Sequence, residues 1–456
     1  MTTSGLLTLP SDLLATKIFA RALSSLTCLY ATSAFIRRII KEHDSLLWRA
    51  YVWDGFSSPM AVPNGNWHQY AMELNSLKNM RWDTLEAPNS KQCWPSPRCG
   101  HTLTAIGPDR LLLFGGSHPS GAPGGIVFCG VRDPFYELDC ARGTWKPVDF
   151  HFPDAFRAFV PYTGHSAVLH EGMLIIYGGM TKRGCLSGLV YIINISSMRC
   201  EQTQCFGRVS VYHSAVMSGG DMIVYGGIRD AGNRVGEYTD MELHELRVFN
   251  VKTLSWSVPD VYGPRPGPLM LHGGALSGGS MLLFGGLDAS DNRHNSLFRY
   301  NPGTLCTWSP IKLSGDLVPP RSSCSFVGCG RFAFVVLGRG RDKRHIYDGV
   351  WCMDPVSGRS RQLFPEGGMI PRSTSCGCLV GGKVFFFGGM KYEDEECKYF
   401  SDLNVLHLTS ATTRYPDLNR VQRWSPYGAF CPVGQLALNP VDLPALRRTD
   451  SLDDLV

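Results

Sequence analysis

The feature that most constrains this chain is a short apolar run ending in a pair of glycines, which recurs along most of its length. It reads LLLFGG, MLIIYGG, MIVYGG, MLLFGG and VFFFGG, with the pairs at Gly115 and Gly116, Gly178 and Gly179, Gly226 and Gly227, Gly285 and Gly286, and Gly388 and Gly389. A degenerate copy, FVVLGRG, falls between the last two; Gly338 keeps the phase there and Arg339 takes the second glycine's place. Successive copies are roughly fifty to sixty residues apart, the period of one supersecondary unit repeated with loops of variable length. A chain of 456 residues exceeds the size at which one core keeps growing, so it either divides into domains or repeats a unit. The phased copies select repetition.

Other features recur in the same phase. A second short strand precedes each glycine pair: GHTLTAI, GHSAVLH, YHSAVMS, HGGALSG, CSFVGCG and SCGCLVG. After the pair comes a longer loop, a third strand and a fourth, so that FYELD leads to Trp145, LRVFN to Trp256 and FRYNP to Trp308. The turn between the last two strands opens on Asp139, Asn194, Asn250, Asn301 or Asp354, residue types that bond to their own backbone in tight turns. Continuous apolar runs mean strands covered on both faces. The glycine pair permits close approach between neighbouring sheets, and the outer aromatic fills the widening wedge. Four antiparallel strands per unit, six units in all, predict a mainly β fold: a six-bladed β-propeller over residues 81–432. Arg81–Leu85 is favoured as the strand that closes the ring; Thr412–Tyr415 is the competing candidate, and a degenerate seventh blade over Gly428–Leu438 is a further alternative.

Residues 1–80 differ in texture, with no glycine pair and apolar residues at helical spacing. Ser11 is placed to cap a helix whose stripe runs through Leu14, Ile18 and Ala22, and a second stripe passes through Leu26, Leu29, Tyr30, Ser33 and Ile36. Residues 1–56 form a predicted helical domain, residues 57–80 a connector with a helix over Trp67–Met80, and residues 433–456 a flexible tail. So short a helical segment cannot bury all its apolar residues, which leaves a face for a partner.

From Arg81 to Tyr415 the residues resemble the kelch-repeat family, whose marks are the double glycine, a later Tyr and a later Trp. Cys200 stands where the second repeat's Trp belongs, and the fifth repeat lacks a clear one. The N-terminal pattern, LPSDLL, IFARAL, LYATSAFIRRII and LLWR, resembles the F-box. That resemblance implies that Leu9, Pro10, Leu13, Leu14 and Ile18 face a Skp-type adaptor, while Leu29, Ile36 and Trp48 hold the helices together. Together the two resemblances imply a non-catalytic substrate receptor of a Skp-cullin-F-box ubiquitin ligase, acting by proximity. The alternatives are a kelch scaffold without a ligase role and an iron-dependent enzyme of the plant specifier type. For the latter, Asp240 and His244 fit part of a Glu-x3-Asp-x3-His pattern, but Gly236 holds the glutamate's place and Glu237 is one residue off.

Arg98, Arg208, Arg265, Arg321 and Arg372 recur at or near the start of blades, and Arg339 and Arg341 belong to a basic run with Lys343, Arg344 and His345. These are the candidate target-binding residues, suited to acidic or phosphorylated peptides. His101, His165, His213 and His272 occupy related blade positions and are expected to repeat a hydrogen bond. A net charge of +5 without a long basic run argues against nucleic acid as a partner. The sixteen cysteines lack paired zinc spacing, so no metal or cofactor is expected. No signal-peptide pattern or bilayer-length apolar run is present, which predicts a cytoplasmic or nuclear protein without a membrane partner. There Asn194 stays unglycosylated. Arg447–Ser451 resembles a basophilic kinase site.

Overall fold

Each repeat builds one twisted antiparallel sheet, and six such sheets stand around a common axis. The computed structural model describes residues 48–49, 52, 67–88, 93–119, 126–128, 135–152, 163–181, 185–228, 245–342, 344–393 and 396–410. Blade 1 comprises Thr102–Gly107, Arg110–Phe114, Phe135–Asp139 and Thr144–Val148, and blade 2 comprises Thr163–His170, Met173–Met180, Leu189–Asn194 and Arg199–Phe206. Blade 3 holds Ser214–Ser218, Asp221–Tyr225, Leu246–Asn250 and Ser255–Ser257; blade 4 holds Gly273–Ser277, Ser280–Phe284, Leu297–Asn301 and Cys306–Ile311. Blade 5 is Ser325–Cys329, Phe332–Val336, Val350–Asp354 and Arg359–Leu363. Blade 6 takes Cys376–Val380, Lys383–Phe387 and Leu403–His407 from the end of the ring and its outer strand, Arg81–Leu85, from the beginning. The innermost strands contact one another in cyclic order, and blade 6 touches blade 1.

The second strand of each blade is the most buried because sheets cover both its faces, as Leu111–Phe114, Leu174–Tyr177 and Val384–Phe387 illustrate. The glycine pair follows at once. Gly178 has a φ of 69°, and a Cβ there would lie 2.4 Å from the Ser210 carbonyl oxygen of the next blade. Only glycine combines that backbone angle with that approach.

Blade 5 corrects the phase read from the sequence. Its two left-handed residues are Leu337 and Gly338, at φ 62° and 104°, matching 71° and 101° at Gly115 and Gly116. Gly338 is therefore the second glycine, and Leu337 stands in the first one's place. Arg339 occupies the next position, held in other blades by Ser117, Ile228, Leu287 and Met390, each bridged to the segment leading into its own blade.

The outer tryptophans fill the wedge by reaching back onto the preceding blade. Trp145 lies 5.2 Å from Phe387, Trp256 4.6 Å from Tyr177, and Trp308 5.2 Å from Tyr225, ring centroid to centroid. Trp82 takes the same register in blade 6, opposite Leu406, so the N-terminal strand brings a wedge aromatic as well as closing the ring. Cys200 and Ser360 stand at this position in blades 2 and 5. The Ser360 hydroxyl is hydrogen-bonded to the Asp316 and Ser314 carbonyls at 2.6 and 3.1 Å.

Those carbonyls belong to a covering segment. The chain leaving blade 4 lays Ser314–Gly315 parallel to the outer strand of blade 5, and the chain leaving blade 3 lays Val261–Tyr262 parallel to that of blade 4. Single parallel bridges repeat the arrangement at His151 with Arg199 of blade 2, and at Glu366 with Arg81 of blade 6.

Helix α1 (Trp67–Ser76) leads into the ring. It ends earlier than the expected Met80, because Leu77 turns left-handed at φ 51° with its N–H on the Glu73 carbonyl. Its buried face, Tyr70, Ala71 and Leu74, packs with Val52 and Met80 on Cys329, Phe332, Val384, Leu406 and Leu408 of blades 5 and 6. Tyr70 Oη donates to the Gly381 carbonyl, and Glu73 accepts from the Ser410 amide and hydroxyl. These partners lie in the tight turns, so α1 sits on the turn face of the ring, opposite the longer loops. Trp48 packs against the same cluster.

Candidate partner-binding site at the channel mouth

The loops between second and third strands and the segments leading into each blade emerge on the face opposite α1. The residue after each left-handed pair is paired there, amide to carbonyl in both directions, with the second residue of a blade inlet. These pairs are Cys99 with Ser117, Val211 with Ile228, Met270 with Leu287, Ser322 with Arg339, and Ser373 with Met390, at N···O distances of 2.8 to 3.1 Å. They form the rim of the channel. Across blades 2 to 4 the rim is apolar, with Val211, Ile228, Met270 and Leu287 packed together against Met180 and Leu186. Across blades 5, 6 and 1 it is mixed, with Ser322, Arg339, Ser373 and Ser117 buried beside Met390 and Cys99.

Arg98, Arg321 and Arg372 share one inlet position, and all three are buried. Each Nε donates to the carbonyl two residues back, at 3.0 to 3.1 Å, and each Nη1 donates to the carbonyl of the first left-handed residue, Gly115, Leu337 or Gly388. Arg372 also grips Asp402 through two nitrogens, at 2.5 and 2.9 Å. Arg321 lies against Tyr347 and Trp351, its guanidinium carbon 4.1 and 4.2 Å from the ring centres. These three guanidinium groups face inward and fasten loop to loop. Burial pulls Arg321 down to about 10.

Arg208 and Arg265 stand outside that shared position. Arg208 is exposed beside Glu245 at 3.6 Å, and exposed Arg265 donates to the Val261 carbonyl at 2.7 Å. Arg341 is exposed on the blade 5 loop, whereas Arg339 is buried. Reasoning from repeats missed two arginines. Arg247, on the third strand of blade 3, donates to Tyr177 Oη at 2.6 Å and to the Arg208 carbonyl. Arg293, on the blade 4 loop, is buried and pairs with Asp291 at 3.1 Å. Neither recurs in the other repeats, so periodicity gave no signal for them.

A cavity of about 230 Å³ opens in blade 4, lined by Pro268, Leu269, Phe298, Asp288, Ser290 and His294 among others. Asp288 accepts from the amides of Ser290 and Asn292 and is 2.9 Å from His294 Nε2. Despite opposing desolvation, those hydrogen bonds hold its carboxyl below the usual range.

The inner histidines form an interblade relay. His165 Nε2 is 3.1 Å from Thr102 Oγ1, His213 Nε2 2.9 Å from Ser166 Oγ, and His272 Nε2 2.8 Å from Ser214 Oγ. The repeated hydrogen bond expected from the sequence is thus present in three blades, each time reaching into the preceding one. Burial drives His101 and His165 down to about 3 and His272 to about 4, with His213 also well below its ordinary value. Cys99, Cys140, Cys329 and Cys352 are buried, whereas Cys93 and Cys185 are exposed; Cys376 and Cys378 rise to about 11 and about 12, chiefly through desolvation. Among the described residues no group of His, Cys, Asp and Glu is arranged to hold a metal ion.

Leu9, Pro10, Leu13, Leu14, Ile18, Leu29 and Ile36 lie outside the described residues, as do Gly236, Glu237, Asp240 and His244. Among the described residues the candidate site comprises the rim, the blade 4 cavity and the exposed arginines.

Residues 164–389 match the family described as the KLHDC2/KLHL20/DRC7 Kelch-repeats domain. The ring is a kelch-repeat domain. Human Kelch domain-containing protein 3 is 24% identical over 327 residues, covering 66% of this chain and 79% of the human protein. The bovine counterpart is 26% identical over 220 residues, and the chain spans 57% of its length. An F-box/kelch-repeat protein of Arabidopsis thaliana is 35% identical over 103 residues, 22% of this chain and 19% of that protein. The solved structure of YjhT superposes with a TM-score of 0.52 at 13% identity, covering 68% of this chain and 99% of that one, which establishes likeness of fold. Kelch repeats explain the glycine pairs and wedge tryptophans together. Among the described residues, no helix is long and apolar enough to cross a membrane.

Proposed function

We propose that this kelch protein is the substrate-recognition subunit of a Skp-cullin-F-box ubiquitin ligase, capturing its target at the channel mouth in the cytoplasm or nucleus. The observation that carries this reading is the opposition of two faces. Trp48, Val52 and α1 are packed onto the turn face, while the rim and long loops open on the other side. An adaptor held through residues 1–56 and a target held at the mouth would then occupy opposite ends of one rigid body, and the chain's contribution is to hold the target near the ubiquitin-charged enzyme. It supplies no nucleophile. The LPSDLL segment and the similarity to an F-box/kelch-repeat protein support the adaptor role.

The test is capture of a Skp-type adaptor by the full chain and by Leu13→Asp plus Leu14→Asp. Capture lost in the double variant, with the ring still folded, supports the proposal; equal capture refutes it. The second reading, a kelch interaction protein without a ligase role, is favoured by the similarity to Kelch domain-containing protein 3 over 66% of this chain. It retains the mouth as the binding face and predicts no adaptor capture at all.

A further inference from the structure

The cavity in blade 4 holds a polar pair that the repeat does not account for. Its walls come from the blade inlet Gly267–Leu269, from the loop running from Asp288 to His294, and from Ser296 and Phe298 at the start of the third strand. At about 230 Å³ it is smaller than the roughly 300–1,000 Å³ of pockets for drug-sized ligands, so it suits a single side chain. Pro268, Leu269, Ala289 and Phe298 supply apolar wall, and Asp288 is the one carboxylate among the described lining residues, which include no lysine or arginine. Two residues past the left-handed pair, where Asp288 stands, the other blades carry His118, Thr181, Arg229, Gly340 and Lys391. The carboxylate is therefore particular to blade 4. Asp288 accepts the Ser290 and Asn292 amides at one oxygen and faces His294 Nε2 with the other, each at 2.9 Å. A carboxylate only accepts, so Nε2 carries the shared proton and Nδ1 of the neutral ring is the acceptor left for a ligand. A carboxylate behind an imidazole also fixes its tautomer and raises the basicity of the other nitrogen. The backbone under the ring is pinned: the His294 N–H donates to the Gly286 carbonyl and its carbonyl accepts from the Arg321 amide, both at 3.0 Å.

We propose that this cavity receives a lysine side chain of the captured protein, with its methylene stem against Pro268, Leu269 and Phe298 and its ammonium bonded to His294 beside the Asp288 carboxylate. The lining offers acceptors and a negative charge, and an ammonium brings donors and a positive one. Lysine fits the shape as well, being a compact charge on a slender four-carbon stem that buries readily along apolar surface. A carboxylate tip would meet Asp288 as a like charge, and an apolar tip would leave the imidazole acceptor unpaired. This rests on the mouth being the capture face. The test uses neither target nor adaptor, so its failure would leave that reading standing.

The probe is Nα-acetyl-lysine N-methylamide, a single in-chain lysine, titrated into the full chain at neutral pH and constant ionic strength. The same compound acetylated at Nζ is the uncharged control, and free lysine is the arm for a free amino acid. The probe should raise the unfolding midpoint saturably, as a ligand confined to the folded state does, and should shift the imidazole resonance that disappears in His294→Gln. The acetylated control should bind about tenfold more weakly or worse, the scale of a lost charge-assisted hydrogen bond. His294→Gln should weaken the midpoint effect by a similar factor. So should Ala289→Trp, which plugs the cavity from an exposed wall position and leaves the pair in place; it keeps the test decisive should the histidine variant fail to fold. The absence of a saturable effect, equal binding of the acetylated control, or undiminished binding in either folded variant would overturn the proposal. Tighter binding of free lysine than of the capped probe would overturn it too, by assigning the cavity to a free amino acid.

Discussion

Acidification should weaken this ring well before its carboxylates are titrated. His101 and His165 titrate near pH 3 and His272 near pH 4 in the folded chain, with His213 also far below its ordinary value, in each case chiefly through desolvation. His407, buried beside Arg81 and Asp83, is lowered to about 4. In the unfolded chain all five return to about 6.5. Between these limits the unfolded state binds more protons, so their contribution is complete above about pH 6.5 and is lost as pH falls through the interval. Each histidine then costs about 2 kcal/mol of stability at about pH 5, with a slope approaching about 1.4 kcal/mol per pH unit. The lowered carboxylates, Glu137, Asp139, Asp288 and Asp354, act in the same direction, but only below the unfolded carboxyl range of about 4 to 4.5. Urea unfolding measured from about pH 7 to about pH 5 at fixed ionic strength isolates the histidines. The native chain should show a steep fall. His165→Gln, which keeps a side chain able to bond Thr102, should remove about one proton from the slope. A flat profile above about pH 5, or an unchanged slope in the variant, would mean that burial does not hold these imidazoles neutral.

Two further perturbations test the architecture. Deleting residues 67–85 removes α1, Met80 and the closing strand with Leu85; at about 1.5–3 kcal/mol for each large apolar side chain the loss approaches the whole stability of a typical domain, so no cooperative unfolding transition should remain. Arg372→Met strands the Asp402 carboxylate and should cost about 3–5 kcal/mol by denaturant unfolding, a loss that Arg372→Met with Asp402→Asn should largely recover.

The ring was legible because its information is periodic. Six copies of one pattern average out local ambiguity, and even the closing strand could be placed, since Arg81–Leu85 carries the wedge residue Trp82. The phase error in blade 5 has a specific cause: Leu337 adopts a left-handed angle that the sequence reserves for glycine in the other blades, so Gly338 was matched to the wrong partner. The site was harder to read. Arg98, Arg321 and Arg372 repeat and so drew attention, yet repetition here reflects a shared structural bond to carbonyls. Arg247 and Arg293 each occur once, and their placement depends on which loops the ring brings together. The hairpins Ser117–Pro119 with Ile126–Phe128, and Met390–Glu393 with Glu396–Tyr399, likewise sit in loops whose lengths differ from blade to blade.

The parallel segments laid along the outer strands of blades 2, 4, 5 and 6 bear on how any ligand can be gripped. A bare sheet margin is a template on which an extended peptide can add itself, backbone to backbone, with little regard for its sequence. Here the protein's own chain already fills that role at four places on the perimeter. Recruitment around those flanks by strand addition is therefore blocked, and discrimination between ligands falls to the side chains that differ from loop to loop at the opening.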